Sequence, residues 1–182
     1  MHELSIVIPV RNGGDLLALQ LDALHQAIGA RTGIEVVVSD NGSTDGTASL
    51  ARSYRDRLDI RVIDASRAAG INVARNAGVR AADSSRILLC DADDEVDSAW
   101  IDAMMATFAH GAELLAGPID YRRLNDERLR RWRGTDGATV YEALGFLLTG
   151  HGANMGFTRA LFDTVGGFDE SFRYGAEDTE FL

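Results

Sequence analysis

A cluster of acidic side chains follows the apolar run that ends at Cys90. The stretch from Ile87 to Asp97 reads ILLCDADDEVD, so five of its last seven residues carry carboxylates. Carboxylates this close repel one another and are poor strand formers. Side chains alternate along an extended chain, which places Asp91 and Asp93 on one side. Such a pair of oxygen ligands suits Mg²⁺ or Mn²⁺, which proteins often hold with one or two carboxylates and a substrate's phosphates.

Two other interpretations of this cluster need no such site. Acidic residues are favoured at a helix N-terminus by the helix dipole, and they can simply be solvated there. A calcium-binding EF-hand loop has a similar spacing of acids from Asp91 to Asp97. Val96 stands where that loop requires glycine, and a strand precedes the loop, so the EF-hand is excluded.

Three further stretches carry residue types that could bind a ligand or do chemistry. Asp40, in SDNGSTDGT, could accept a hydrogen bond from a nucleobase or a ribose hydroxyl, or belong to a turn in which a neighbour caps the next helix. Arg75 could face a phosphate or brace the acidic cluster, although a helical arginine is usually solvated. Glu177 and Asp178 could supply the base that deprotonates an alcohol, or cap a helix.

Strands are predicted to alternate with helices over the first half of the chain, which indicates a mostly parallel sheet with helices on both faces. Apolar residues recur at near-helical spacing in the first helix, at Leu16, Leu19, Leu24 and Ile28. Ser98 is the predicted N-cap of the fourth helix. The predicted strands are Leu4–Val10, Ile34–Ser39, Ile60–Ile63 and Arg86–Cys90, and the predicted helices are Asp15–Ile28, Asp45–Leu58, Gly70–Ala82 and Ser98–Ala109.

The second half of the chain is predicted to be less regular and to hold a second substrate. We therefore expect one domain with a nucleotide-binding-type half (1–110) and a second-substrate half (111–182), which ends inside a helix start as if truncated. The predicted elements are a strand at Glu113–Tyr121, a loop or short helix at Leu124–Gly137, a helix at Tyr141–Leu148, a strand at Asn154–Phe157 and a helix at Arg159–Val165, closed by Gly166 and Gly167.

The chain has 182 residues and a formal net charge of −10, which argues against a general nucleic-acid-binding protein. Its one cysteine, Cys90, excludes an internal disulfide and fits a reducing compartment. We expect a cytoplasmic protein, with a peripheral contact at the inner face of the membrane as a further hypothesis. A cluster of six arginines could make this membrane contact or could bind an anionic, lipid-linked substrate. The alternative is that the cluster is simply a solvated loop. Its members are Arg122, Arg123, Arg128, Arg130, Arg131 and Arg133.

Taken together, these stretches resemble family 2 of the inverting glycosyltransferases, which have the GT-A fold. Six of them occur in the family's order and span nearly the whole chain: SIVIPVRN, VVVSDNGSTDGT, ARNAG, ILLCDADD, GANMGFTRALFDTVGGFDESF and GAEDTEFL. The resemblance implies a nucleotide-sugar donor, most often a UDP-sugar, a divalent metal (Mg²⁺ or Mn²⁺), and a carbohydrate or lipid-linked acceptor. Asn72 departs from the family pattern, in which serine is frequent.

The resemblance also implies roles for individual residues. Asp40 would contact the base, Asp91 the ribose, and Asp93 the metal and the diphosphate. Asp178 would be the catalytic base, and Glu177 would help to position the acceptor. Asp91 is also predicted to bind the metal, and the rest of the predicted donor pocket is Pro9, Val10, Asn12, Asn41, Gly70, Arg75 and Ala92.

Two alternatives to a glycosyltransferase remain open at this point. A nucleotidyltransferase can share the sheet, but its glycine-rich loop bearing Arg and Lys after the first strand is missing, and the chain contains no lysine. A degenerate domain could bind nucleotide without turnover. A dinucleotide oxidoreductase is weaker still, since no G-x-G-x-x-G follows a strand.

Overall fold

A six-stranded sheet forms the centre of the protein in a computed structural model, which describes residues 2–121, 123–128, 141–143, 147–149 and 151–172. The strands, in chain order, are β1 Leu4–Val10, β2 Ile34–Asp40, β3 Ile60–Asp64, β4 Arg86–Cys90, β5 Leu114–Ala116, β6 Tyr141–Ala143, β7 Leu147–Thr149 and β8 Asn154–Thr158. Their order in the sheet is β3-β2-β1-β4-β8-β5, while β6 and β7 form a separate antiparallel pair. Strands β1 to β4 run parallel, and β8 pairs antiparallel with β4 and β5.

Helices cover both faces of this sheet, as the alternation predicted. The helices are α1 Gly14–Ile28, α2 Thr47–Arg52 with a 3₁₀ turn at Ser53–Asp56, α3 Ile71–Ala81, α4 Trp100–Ala109 and α5 Arg159–Val165. Helices α1, α2 and α4 pack on the face that includes Ile6 and Val36. Helices α3 and α5 pack on the other face, which includes Val7 and Val37. Successive residues of β1 therefore enter different cores, and all seven are buried.

A glycine allows helix α3 to lie close against the central strand. A Cβ added to Gly78 would lie 2.3 Å from Cγ1 of Val7, so any side chain there would force the helix away from the sheet. Helix α3 begins at the carboxyl end of the parallel strands, and its N-terminal turns carry Asn72 and Arg75. Close packing at Gly78 therefore sets how near these two polar residues lie to that edge.

The buried face of helix α1 differs from the one predicted. Leu16 and Leu19 are about half exposed, at 52% and 49%. Leu24 and Ile28 are buried as predicted, but the rest of the buried stripe is Leu17, Gln20, Leu21 and Ala27. The leucine-rich sequence offers two faces with helical spacing, and the sheet selects the one that includes a polar residue.

Four other predicted elements are corrected by the structure. The predicted helix Tyr141–Leu148 is the β6–β7 pair, and its short apolar run is interrupted in sequence by Gly145. The strand predicted at Glu113–Tyr121 runs only from Leu114 to Ala116. Gly117 still donates to the Asn154 carbonyl of β8, but Pro118, which has no backbone N–H, follows it. Helix α2 begins only at Thr47, after Gly46 in the left-handed region, and its continuation is the 3₁₀ turn.

Helix α4 begins at Trp100, and Ser98 is not its cap. The side chain of Asp97 instead accepts a hydrogen bond from the backbone N–H of Ala99 at 2.8 Å, which builds the turn that leads into the helix. Among the described helices, none is both long enough and apolar enough to cross a membrane.

A buried glutamate joins the strands at the edge of the sheet opposite the predicted site. Glu35 is 2% exposed. Its carboxylate accepts hydrogen bonds from the Ser5 hydroxyl at 2.5 Å and from the Asp83 backbone N–H at 2.6 Å. Arg61 lies 2.9 Å from the second oxygen of the same carboxylate. This network ties β1, β2 and β3 to the turn that precedes β4.

We expect Glu35→Ala to lower the free energy of unfolding by about 2–4 kcal/mol, because it leaves several buried donors without an acceptor. Urea denaturation measures this difference. The matched control is Glu3→Ala, which removes an exposed carboxylate paired with Arg86 at 3.3 Å and should cost no more than about 0.5 kcal/mol. Equal losses for the two variants would contradict the structural role given to Glu35.

Candidate functional site

The loops that follow β1 and β2 are joined by hydrogen bonds at the carboxyl edge of the sheet. The backbone N–H of Asn41 donates to the Val10 carbonyl at 2.8 Å. Asn12 has a left-handed φ of 55°, and its backbone N–H donates to the Ser43 hydroxyl at 2.8 Å. Its side-chain oxygen accepts from the Thr44 N–H at 2.8 Å. Asn12 therefore fixes one loop against the other.

Thr47, which the sequence analysis did not single out, joins the same two loops. Its hydroxyl oxygen accepts from the backbone N–H groups of Gly13 at 2.9 Å and Gly14 at 3.2 Å. The hydroxyl donates in turn to Asp45 at 2.5 Å, and this bond lowers the pKa of the Asp45 carboxyl. The first N–H groups of helix α1 are thus satisfied by a residue of helix α2.

Asp40 ends β2 at the centre of this edge and is partly exposed. One of its carboxylate oxygens accepts from the Ser43 backbone N–H at 2.8 Å, so the predicted turn is present. Its carbonyl accepts from the Ala65 N–H at 2.8 Å. Pro9 and Val10 are buried at the end of the neighbouring strand, and their place in the wall of a donor pocket stays a prediction.

Asn41 braces the loop between β3 and α3. Its buried amide nitrogen donates to the carbonyls of Ala65 at 2.7 Å and Ala68 at 2.8 Å. Its amide oxygen accepts from the Gly70 N–H at 3.0 Å. Gly70 has a φ of 151°, a value that residues with a side chain rarely adopt. Asn41 therefore holds Gly70 and the loop before α3 in place, and contact of either residue with a donor stays a prediction.

The guanidinium of Arg75 lies inside the protein beside Asp91. Arg75 is 1% exposed, and its Nη2 is 3.9 Å from Oδ1 of Asp91. Its Nη1 donates to the Asn72 side-chain oxygen at 3.3 Å, and the group lies 5.5 Å from the ring centroid of Phe168. Of the two roles considered for this arginine, the structure places it where it can brace the acidic cluster.

The acidic loop after β4 presents carboxylates of unequal exposure. Ala92 is buried, Asp93 is exposed and Asp94 lies between these extremes. Burial, and then the negative charge of Asp93, raise the pKa of Asp94 to about 6. Glu95 forms an ion pair with Arg123. Asp91 and Asp93 supply only hard oxygen donors, and Asp93 reaches solvent, so the donor set fits Mg²⁺ or Mn²⁺.

A cavity of about 570 Å³ opens beside this loop. The indole N–H of Trp100 donates to the Asn154 side-chain oxygen at 2.7 Å, and the Asn154 amide donates to the Pro118 carbonyl at 2.8 Å, which links three elements of the wall. The acidic residues that line the cavity are Asp94, Glu95, Asp97 and Asp120, and its other lining residues include Val96, Ile119, Arg123 and Leu124.

Helix α3 also holds the chain segment that leads toward Glu177 and Asp178. Asn76 exchanges two hydrogen bonds with the backbone of Phe168, at 2.8 and 2.9 Å. Asn72 donates to the Asp169 carbonyl at 2.8 Å. Glu177, Asp178, Arg122, Arg130, Arg131 and Arg133 lie outside the described residues. Their predicted roles stay predictions.

The sequence analysis missed three polar residues that organise this edge: Gln20, Thr47 and Asn76. Gln20 is fully buried in helix α1, and its amide bonds to the backbone of the acidic loop. A polar residue on the apolar stripe of a helix is the signal that could have found it, had the stripe been assigned to the correct face. Thr47 and Asn76 lie in two of the stretches that resemble the family, VVVSDNGSTDGT and ARNAG, and this is the signal that could have found them.

Because Asp94 binds its proton more tightly in the folded than in the unfolded chain, ionisation of Asp94 disfavours folding. The stabilisation by the neutral form is complete below pH 3.8 and is lost as the pH rises to about 6. In metal-free buffer we expect Asp94→Asn to raise the melting temperature by about 2–4 °C at pH 7.5, with little change at pH 4. Calorimetry at both pH values tests this, and an equal shift at both would contradict it.

Comparison with known proteins adds an independent finding. The model of the family described as "Glycosyl transferase family 2" matches residues 5–166. Validoxylamine A glucosyltransferase of Streptomyces hygroscopicus subsp. jinggangensis is 31% identical over 97% of this chain and 50% of its own length. Poly(ribitol-phosphate) beta-N-acetylglucosaminyltransferase TarS of Staphylococcus aureus is 27% identical over 63% of this chain and 20% of its own length. The chain thus spans half or less of these curated relatives.

Solved structures confirm the GT-A fold that was predicted. S. aureus TarS 1–349 in complex with UDP-GlcNAc aligns with a TM-score of 0.73 at 22% identity, over 98% of this chain and 52% of that one. The mannosyltransferase PcManGT from Pyrobaculum calidifontis, in complex with GDP-Man and Mn²⁺, aligns with a TM-score of 0.74 at 21% identity, over 98% and 50%. Since the family model matches residues 5–166, which is most of the chain, the chain belongs to glycosyl transferase family 2.

Proposed function

We propose that this domain transfers a sugar from a nucleoside-diphosphate donor to an acceptor hydroxyl, with inversion at the anomeric carbon and with Mg²⁺ or Mn²⁺ as cofactor. UDP is the proposed nucleotide, and polysaccharide, glycolipid or cell-envelope glycan synthesis is the proposed setting. One observation carries the proposal. The Asp40 turn and the Asp91–Asp94 loop lie at the carboxyl edge of the same parallel sheet, where open α/β folds bind ligands.

The nucleoside would bind between the loops that follow β1 and β2. Ser43 holds one oxygen of Asp40, and the proposal assigns the other oxygen to a hydrogen bond from the base. Asn12 and Thr47 lock the two loops together, so this part of the site is formed before a ligand arrives. A preformed pocket lowers the entropy lost on binding.

The diphosphate would bind at the acidic loop, where Asp91 and Asp93 would hold the metal ion. An acidic chain cannot attract a diphosphate by its net charge. A bound divalent ion would supply the local positive charge and neutralise the leaving group. Arg75 keeps Asp91 in place from inside the protein, so the loop meets its ligand in a fixed geometry.

Asp178 is proposed to take the proton from the acceptor hydroxyl, and Glu177 to orient the acceptor. In-line attack by that oxygen breaks the bond from the anomeric carbon to the diphosphate oxygen, which inverts the configuration. The anchoring of Phe168 and Asp169 on helix α3 supports this assignment. It ties the chain leading to Asp178 to the helix whose arginine braces Asp91.

Relatives support the donor class without naming this chain's substrates. One solved neighbour holds UDP-GlcNAc and another holds GDP-Man with Mn²⁺. A relative similar over nearly the whole chain is named as a glucosyltransferase. The cavity beside the acidic loop is the proposed acceptor-side space, and its size suits one or two sugar rings.

We expect UDP with Mn²⁺ to raise the melting temperature, because a ligand that binds only the native state stabilises it by mass action. UDP, GDP, TDP and CDP should each be compared with and without Mn²⁺. Asp93→Asn should abolish the Mn²⁺-dependent part, whereas Asp163→Asn, a surface change on helix α5, should keep it. No rise with any diphosphate would contradict a nucleotide-sugar site, and equally a degenerate domain that binds nucleotide without turnover.

We expect Asp178→Asn to lower kcat by about 10²–10⁴-fold, because it removes the base that takes the acceptor proton. UDP release from UDP-glucose and UDP-GlcNAc in the presence of a glycoside panel measures the turnover. Binding of UDP with Mn²⁺ should be unchanged in this variant. Glu180→Gln, two residues further along, is the matched control, and an equal loss in both variants would contradict the assignment of the base to Asp178.

A further inference from the structure

The backbone of the acidic loop is held from within by one side chain of helix α1. Gln20 is 0% exposed and lies among the apolar residues Leu17, Leu21 and Leu24 of the same helix. Its amide nitrogen donates to the Asp91 carbonyl at 3.1 Å. Its amide oxygen accepts from the Val96 backbone N–H at 3.0 Å. One amide thus closes a loop of six residues that carries four carboxylates.

These two bonds fix the orientation of the amide and of the loop together. The carbonyl of Asp91 can only accept and the N–H of Val96 can only donate, so only one of the two amide orientations satisfies both. The loop has no regular secondary structure of its own. A buried polar group that loses its partner is costly, so the loop is held at the one position where the Gln20 amide bonds to both ends.

The two sides of Asp91 are therefore held by helices on opposite faces of the sheet. Gln20 of helix α1 holds the main chain, and Arg75 of helix α3 lies 3.9 Å from the carboxylate. Asp93, two residues further along, is exposed and depends on this main chain for its direction. Mutual repulsion among the carboxylates would otherwise spread the loop.

We propose that Gln20 is a positioning residue for the metal and the diphosphate: its amide bonds to Asp91 and Val96 hold the loop in the geometry that binds Mn²⁺. This inference rests on the proposed function and deepens it, because part of the metal affinity is assigned to Gln20, a residue that does not contact the ligand. Partners outside the ligand shell commonly contribute about 10–100-fold to metal affinity. The nucleoside pocket at Asp40 and Asn12 is braced by other residues and should not depend on Gln20.

The test separates these two parts of the site in the full chain. Gln20→Met fills a similar volume but removes both hydrogen bonds. Mn²⁺ affinity in the presence of UDP is read from the free Mn²⁺ signal in electron paramagnetic resonance. UMP affinity in EDTA is read by calorimetry. Leu24→Met is the matched control, a buried exchange on the same helix, and Asp93→Asn removes a proposed ligand.

We expect Gln20→Met to weaken Mn²⁺ binding about 10-fold or more, while UMP affinity, to which the loop would contribute only the ribose contact of Asp91, changes much less and Leu24→Met retains both. If Gln20→Met and Leu24→Met bind Mn²⁺ and UMP equally well while Asp93→Asn no longer binds Mn²⁺, the positioning role of Gln20 is overturned. The proposed function is then unaffected. Mn²⁺ binding that is the same in wild type and Asp93→Asn would overturn both.

Hydrogen exchange in the wild-type protein tests the same bond without a substitution. The Val96 amide should exchange at least about 100-fold more slowly than an unstructured amide, because its N–H is bonded to a buried oxygen. Exchange at the unstructured rate would overturn the inference even if Gln20→Met failed to fold.

Discussion

The buried guanidinium of Arg75 beside Asp91 is the contact on which the rest of this edge depends. Arg75 is almost fully buried in a protein of net charge −10, and a buried cation is tolerated only where an anion and good hydrogen-bond partners compensate it. Asp91 supplies the negative charge, Asn72 an acceptor and Phe168 an aromatic face. The first aspartate of the acidic loop is thereby fixed before any ligand binds.

Helix α3 connects this contact to the other parts of the site. The loop braced by Asn41 leads into the N-terminus of this helix, and Arg75 lies in its middle. Its Asn72 and Asn76 bond to the backbone of Phe168 and Asp169. Gly78 brings the helix close enough to β1 for these groups to reach the strand ends. A single helix therefore follows the loop braced by Asn41, lies beside Asp91 of the acidic loop and holds the backbone at Phe168 and Asp169.

The regular half of the fold could be predicted from the sequence because buried parallel strands are continuous apolar runs. Strands β1 and β4 match their predicted bounds, and α5 ends at Val165 and is capped by Gly166 as expected. The Asp40 turn and the acidic loop also lie at the predicted edge. These predictions depend on local composition and on the rule that ligands bind at strand ends.

The errors arise where tertiary packing chooses between local alternatives. Helix α1 could bury either of two leucine faces, and contact with the sheet decided for the one containing Gln20. The β6–β7 pair lies where a helix is predicted, because a short apolar run fits the residue spacing of a helix and of a strand equally well. The bracing roles of Thr47 and Asn76 depend on partners distant in sequence, which no local pattern encodes.

We infer that a divalent ion and a nucleoside diphosphate bind together at the loop after β4. Mn²⁺ broadens the nuclear magnetic resonance signals of backbone amides that lie near it, and the spectrum should be recorded with and without UDP. We expect UDP and Mn²⁺ together to broaden the signals of Asp91 to Asp94 and of Gly13 first, while those of Glu3 and Ser84, at the opposite strand ends, stay sharp. Broadening centred at that opposite end, or broadening unaffected by UDP, would contradict it.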